Sequence, residues 1–444
     1  MLGSGNAHSP KIIFSTYSTT TLKMAGGLMQ LVAYGAQDVY LTGNPEVTFF
    51  QAKYKRHTNF AMENIEQTVN GTAANSGRVS VTVARNGDLV GDMYIELKSV
   101  PSGTRTAVAV DCNFVAERAI NNVELSIGGQ RIDKHYQKWW RLYSELYLDE
   151  SKKLNWGKMT TAGTGKAVYL PLVFFFNRNP GLYLPLIALQ YHEVRIDFDL
   201  ASDFSTYLNT DTFKVWANYV YLDTEERRRF AQKGHEYLIE QVQHTGTDTI
   251  TSAGTKQVRL SYNHPVKELV WCFSNTSSPN SLWNFSNASA ETNVILESNP
   301  DSIENSNAFV SPAASGAPLL AVGAGDGIGG DTRFTEEACG VLNTFKLILN
   351  GQDRFKEQKG KYFNQVQSYN HHSGCPVPGV YSYSFALKPE EHQPTGTCNF
   401  SRIDNAQVQV VAHDAGDATS MHMFACNYNV LRIQSGMGGL AFSN

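Results

Sequence analysis

A chain of 444 residues with 42% hydrophobic and only 18% charged side chains is too long for one hydrophobic core and too apolar for disorder. Two domains of roughly 200 residues are therefore expected. Its 37 basic and 41 acidic groups leave a net charge of -4, without the basic excess of proteins that grip nucleic acid, so direct nucleic-acid binding is not expected.

The first 23 residues are rich in Ser and Thr, contain no acid and lack a sustained apolar run. They read as a poorly ordered leader ahead of a second possible start at Met24 rather than as a secretory signal. Beyond Met24, short runs rich in β-branched and aromatic residues recur: Val79–Val83, Met93–Leu97, Val123–Ile127, Arg195–Leu200, Phe345–Leu349 and Gln407–Val411. Turn residues bound them, as in Asn86-Gly87-Asp88, Gly128-Gly129 and Asn350-Gly351, and Val79-Ser80-Val81-Thr82-Val83 alternates as a strand with one buried face does. Many short strands separated by turns predict an all-β sandwich or barrel.

Helical pattern is scarce. Asp133–Leu148 places Tyr136, Trp139, Trp140, Tyr143 and Tyr147 on one helical face, an aromatic stripe that reads as core packing rather than a ligand platform. Thr224–Lys233 predicts a short charged helix between domains. Asp223 is its expected cap with Glu226 completing a capping box, Glu225 and Arg229 form an expected i,i+4 pair, and Gly234 is the expected left-handed stop. The triple Arg227-Arg228-Arg229 reads as a solvated face. Ser274–Asp331, rich in Asn, Ser, Gly and Pro, predicts elaborate loops on one end of the second domain.

An internal repeat supports the two-domain division. VELSIGGQRID (123–133) aligns with FKLILNGQDRF (345–355), PGLYLPLIAL (180–189) with PGVYSYSFAL (378–387), and NYVYL (218–222) with NYNVL (427–431). If the strand framework occurs twice, Gly181 and Gly379 should occupy equivalent turns.

Signals for catalysis are weak. None of the twelve histidines has His, Asp or Glu two residues downstream, the spacing that two metal ligands on one strand require. The His371-His372 pair reads as a loop pair without metal. HEYLIEQVQH (235–244) lacks the zincin spacing, and Gly163-Thr164-Gly165-Lys166 lacks the first glycine and the Ser/Thr of a P-loop. The cysteines, Cys112, Cys272, Cys339, Cys375, Cys398 and Cys426, form no C-x-x-C pair and read as mostly buried, reduced thiols. No catalytic, cofactor or metal site is expected. Asn-x-Ser/Thr sequons occur at Asn70, Asn275, Asn284, Asn287 and Asn399; Asn275, Asn284 and Asn287, in the long loop region, are the candidate glycosylation sites.

MAGGLMQLVAYGAQDVYLTGNPEVTFF (24–50), VELSIGGQRIDKHY (123–136), LPLIALQYHEV (184–194), LNGQDRF (349–355), YSFALKPEEHQPTGTCNFSRIDN (383–405) and NYNVLRIQSGMGGLAFSN (427–444) together resemble the major capsid proteins of nucleocytoplasmic large DNA viruses, above all the chlorella-virus branch. The resemblance implies a double jelly-roll of two tandem eight-stranded antiparallel sandwiches with short helices in loops and linker. It also implies homotrimeric, pseudo-hexagonal capsomers that tile an icosahedral shell over an internal membrane, with minor capsid proteins beneath and outward loops that carry glycans in some members. The protein would be made in the host cytoplasm and reside in the virion. The expected organisation is a leader at 1–23, an arm at 24–49, a first sandwich at 50–223, a linker at 224–237 and a second sandwich at 238–444. The alternatives left open are a minor capsid paralogue, a β-sandwich that binds host glycans, and a metal-dependent cupin-type enzyme.

Overall fold

The computed structural model describes residues 26–100, 114–161, 165–250, 254–275, 283, 285, 341–377, 379–412 and 419–442. The leader, most of Ser274–Asp331, and Asn284 and Asn287 lie outside the described residues. Chain contacts separate a first unit ending at His57 from a second beginning at Thr58. The first unit holds two short helices, Gly26–Val32 and Val39–Thr42, and the turn between them is tied by Asp38, whose carboxylate accepts from the Gly35 amide at 2.7 Å.

In the second unit the first eight long strands are β1 (Phe60–Gln67), β2 (Arg78–Thr82), β3 (Leu89–Lys98), β4 (Ile120–Ile127), β5 (Gln130–Tyr136), β6 (Ala167–Pro171), β7 (Val194–Leu200) and β8 (Lys214–Leu222). They form two antiparallel sheets, ordered β1-β8-β3-β6 and β2-β7-β4-β5. Eight further strands repeat the arrangement: β9 (His235–Ile250), β10 (Thr255–Leu260), β11 (Pro265–Asn275), β12 (Leu342–Leu349), β13 (Gln352–Asp353), β14 (Val380–Ser384), β15 (Ala406–Ala412) and β16 (Thr419–Gln434). Their sheets run β9-β16-β11-β14 and β10-β15-β12-β13. Each strand of the second set stands where the strand eight places earlier stands in the first. Both sets are jelly-rolls, and the duplication is in the topology.

Local chemistry explains the elements. The alternation of β2 is realised, with Val79, Val81 and Val83 buried and Ser80 and Thr82 half-buried. The β4–β5 and β12–β13 hairpins close through two residues each at positive φ, Gly128 (57°) and Gly129 (82°), then Asn350 (50°) and Gly351 (79°). Those residue types suit this turn, whose twist matches the flanking strands. The pairs Ile127–Gln130 and Leu349–Gln352 flank the two turns identically, so the first of the three sequence matches identifies equivalent hairpins.

The second match does not. Gly181 lies in a 3-10 turn (Pro180–Leu182) between β6 and β7, whereas Gly379 directly precedes β14, the counterpart of β6. The Pro-Gly likeness is a coincidence of two non-equivalent turns. The third match falls on equivalent strands but one residue out of register. Ala217–Met93 and Tyr219–Val90 flank an irregularity in the β3–β8 pairing, and Cys426–Glu268 and Asn427–Val266 flank its counterpart between β11 and β16, with Ala425–Leu269 next in line as the equivalent of Ala217–Met93. Tyr219 therefore corresponds to Asn427. A slip of one residue would send every side chain to the opposite face, so the strand pairing, not the letters, sets the alignment.

The helices also depart from expectation. Residues 133–136 belong to β5, where they pair with Asn122–Leu125, and helix α1 is Gln137–Leu146. Helix α2 (Glu150–Thr160) follows, capped by the Asp149 carboxylate, which accepts from the Lys152 amide at 3.0 Å. The linker helix α3 (Thr224–Gln232) has no side-chain cap from Asp223. It ends with Lys233 extended, and Gly234 is not among the positive-φ glycines. Glu225 meets Arg228 at 3.4 Å instead of Arg229; Arg227, Arg228 and Arg229 are exposed, and Arg227 also pairs with the buried carboxylate of Asp88 at 3.0 Å. Asp88 also accepts from the Leu222 amide at 2.9 Å, and a nearly buried carboxylate draws the nearest guanidinium to itself. Of the cysteines within the described residues, Cys272 and Cys426 are buried, Cys398 is half-buried and Cys375 exposed.

Candidate assembly interface

The β9-β16-β11-β14 sheet is apolar on both faces. Leu269, Trp271, Phe273, Met421, Met423 and Ala425 turn into the second sandwich's own core. Their neighbours Val270, Cys272, Phe424, Cys426 and Val380 join the core of the first sandwich. The continuous apolar run Leu269–Phe273 reflects burial on both sides. The aromatic stripe of α1 receives that outer face: the Trp139 ring lies 5.7 Å from Phe424, and Tyr136, at the end of β5, lies 4.9 Å from His244 and 6.1 Å from Phe424. The stripe is core packing, as expected, but it packs between sandwiches.

Ion pairs complete this seam. Glu240, on β9, meets Lys267 at 2.8 Å and Arg178 of the first sandwich at 3.0 Å. Burial alone would raise the Glu240 pKa, but the two cations outweigh it and hold the carboxyl below its ordinary range. His372 sits with its side chain buried between Glu268 (3.2 Å) and Glu390 (3.3 Å). Burial would depress its pKa, yet the two carboxylates outweigh that and raise it to about 9, so the ring is charged at neutral pH. Burial pushes His244 down and His422 down to about 3, and this stacked pair, 5.9 Å apart, stays neutral.

Backbone contacts lock the same seam. The Gln241 side-chain amide donates to the Ile132 carbonyl, and the Val242 amide donates to Asp133 at 3.1 Å. The Gly374 amide donates to the Leu146 carbonyl at the end of α1, 3.1 Å away. A Cβ on Gly374 would lie 2.3 Å from the Glu145 carbonyl oxygen and 2.8 Å from that of Leu148, so only glycine fits this approach.

The counterpart face on the first sandwich is open. The paired registers align Tyr94 with Val270, Trp216 with Phe424, Tyr169 with Val380, Met62 with Glu240 and Glu66 with His244. Met62 is 52% and Tyr169 36% exposed, while Tyr94 and Trp216 are half-buried. The exposed rings are ordered among themselves. Tyr94 stacks on Trp216 at 6.5 Å and meets Tyr169 edge-on at 5.9 Å. The Trp216 indole N–H donates to Glu96 at 2.8 Å, and the Asn64 amide donates to the Tyr94 hydroxyl at 2.9 Å.

Of the sequon residues, Asn275 ends β11, and Asn70 and Asn399 are exposed; the Asn399 side-chain oxygen is engaged by the Ser401 amide at 3.0 Å. His372, read from sequence as half of a loop pair, is the buried centre of an ionic cluster. Glu240, Lys267, Glu268 and Glu390 were not singled out from sequence at all. The available signal was charge at strand positions flanked by apolar residues, as in PVKELVW (265–271). Among the described residues no group of three His, Cys, Asp or Glu is arranged to hold a metal ion.

Comparison with known proteins gives a consistent result. Residues 48–223 match the family model described as the major capsid protein N-terminus, and residues 226–439 match that of the large eukaryotic DNA virus major capsid protein. The chain is 44% identical to the major capsid protein of Paramecium bursaria Chlorella virus 1 over 95% of this chain and all of that protein. It is 41% identical, over the same shares, to the major capsid protein of Phaeocystis pouchetii virus. A quasi-atomic model of the PBCV-1 virus capsid superposes with a TM-score of 0.71 at 39% identity, over 89% of this chain and all of the matched chain.

Proposed function

Because this chain belongs to the major capsid protein family of large eukaryotic DNA viruses and is a structural protein of the virion shell, we propose that it acts by self-association into homotrimeric capsomers, without turning over a substrate. The observation that carries this reading is the ordered aromatic face around Tyr94, Trp216 and Tyr169, left open on the first sandwich while its counterpart on the second is buried. A head-to-tail contact repeated with closing rotation gives a ring, and three chains of two sandwiches supply six similar units. A ring also covers the sheet surfaces that would otherwise pair wrongly.

The organisation that goes with it is an arm at 24–49, sandwiches at 50–223 and 238–444 and a linker at 224–237, with minor capsid proteins beneath the shell. Glycans on Asn275, Asn284 or Asn287 would decorate the outer loops. Light scattering on the purified chain tests the reading. Three chains of 49.1 kDa give about 147 kDa, and a stable monomer at micromolar concentration would overturn it.

A further inference from the structure

The turn Asn86-Gly87-Asp88, between β2 and β3, carries a chemistry that shell building does not use. Asn-Gly occurs three times in the chain, at 70–71, 86–87 and 350–351. In this pair the following main-chain nitrogen reaches the asparagine side-chain carbonyl carbon with least obstruction, because glycine has no Cβ. Such an intramolecular attack still requires that both groups can align. The fold holds the three pairs differently.

Asn350 is locked. It sits at φ 50° in the β12–β13 turn, its amide donates to the Asn405 carbonyl at 2.7 Å, and its side-chain oxygen accepts from the Asn405 amide at 3.0 Å. Asn70 is held through its backbone, which pairs with Ser80 of β2. Asn86 lies outside every strand and is exposed. Among the described residues neither its side chain nor the Gly87 amide takes part in a hydrogen bond. Packing imposes the glycine: a Cβ at Gly87 would lie 2.8 Å from the Tyr219 Cβ.

We propose that Asn86 is a site of spontaneous deamidation whose product loosens the anchor of the linker helix. The Gly87 main-chain nitrogen attacks Asn86 Cγ. The bond from Cγ to the side-chain nitrogen breaks, and ammonia leaves with the proton that Gly87 gives up. Water then opens the cyclic imide at either carbonyl, giving aspartate or isoaspartate. Water is the only co-reactant, and nothing is oxidised or reduced. Either product adds a negative charge, and isoaspartate also adds a methylene to the main chain.

That methylene falls between two anchors. On one side Arg85 donates to the carbonyls of Gln190 at 2.9 Å and His192 at 3.2 Å. On the other, Asp88 accepts from the Leu222 amide at 2.9 Å and pairs with Arg227 of α3 at 3.0 Å. A lengthened main chain shifts Asp88 relative to Arg85. The contact given up first is the one to Arg227, because an ion pair with an exposed partner holds least.

The test is ageing of the full chain at mildly alkaline pH in oxygen-18 water, followed by peptide mapping. Conversion at Asn86 should exceed that at Asn350 at least tenfold, with isoaspartate among its products. Equal conversion at the two positions, or none at Asn86, would overturn the site. Trypsin under native conditions reads the consequence, since Arg227, Arg228 and Arg229 are exposed cleavage points on α3. Cleavage there should rise several-fold in aged wild type and stay at the fresh-protein level in aged Asn86→Ser. Conversion at Asn86 without faster cleavage, or an equal rise in aged Asn86→Ser, would overturn the loosening of the linker.

Discussion

The outer faces of two equivalent sheets carry different chemistry. On the second sandwich, Val270, Phe424 and Val380 with the Glu240–Lys267 pair are sealed against the first. On the first, Tyr94, Trp216, Tyr169 and Met62 occupy the same positions and stay accessible. A face buried as the chain folds can be aliphatic and can hold ions already paired. A face that is wet before it is covered is better served by Tyr and Trp, which combine apolar area with a polar tip. The same strand framework thus serves folding on one side and association on the other.

The sharpest way to break this comparison is to truncate matching aromatics. Trp139→Ala, in the buried seam, should cost about 3–5 kcal/mol by urea denaturation. Trp216→Ala should cost the isolated chain under about 1.5 kcal/mol, because its ring is only half-buried, yet shift the mass from trimer toward monomer. Equal stability losses at the two sites would remove the distinction. Glu240→Ala should be of similar size to Trp139→Ala, about 3–5 kcal/mol, because Lys267 and Arg178 lose their common partner in the seam.

A smaller effect comes from pH. The His372 pKa is raised to about 9, so its contribution is fully present below the ordinary histidine range and is lost as pH rises through about 9. That of Glu390, whose pKa is lowered by contact with His372 and Ser373 despite burial, is present above the ordinary carboxylate range and lost as pH falls through its depressed value. Stability against urea should therefore peak between these limits. His372→Gln should flatten the alkaline limb by roughly 1–3 kcal/mol, at about 1.4 kcal/mol per pKa unit. An unchanged alkaline limb would show that the ring is not charged in the seam. Smallest is Arg228→Ala on the linker helix, whose exposed pair with Glu225 should be worth under about 0.5 kcal/mol in thermal melts.

Much of the framework was legible in the residues because strands of this kind depend on local pattern. Val79–Val83 alternates, and Gly128-Gly129 and Asn350-Gly351 mark their own turns. The aromatic stripe was legible as buried, but not what buries it, since Phe424 and His244 lie far along the chain from Trp139 and Tyr136. The linker helix was legible as a helix but not in its pairing. Arg227 leaves its helical neighbours for Asp88, a partner fixed by tertiary structure. The ionic seam escaped for the same reason: Lys267, Glu268 and His372 look unremarkable until three separate segments meet. The Pro-Gly match failed because a dipeptide that favours turns recurs wherever turns do.

The central claim, that the open face of the first sandwich is covered by another copy, is tested most directly by hydroxyl-radical footprinting of the assembled protein against its dissociated form. Covering predicts that labelling at Met62, Tyr169 and Trp216 falls several-fold on assembly, while Glu225–Arg228 on the linker helix stays equally reactive. Equal labelling of the three face residues in both forms would mean that assembly, if it occurs, uses some other surface, and the account would be wrong.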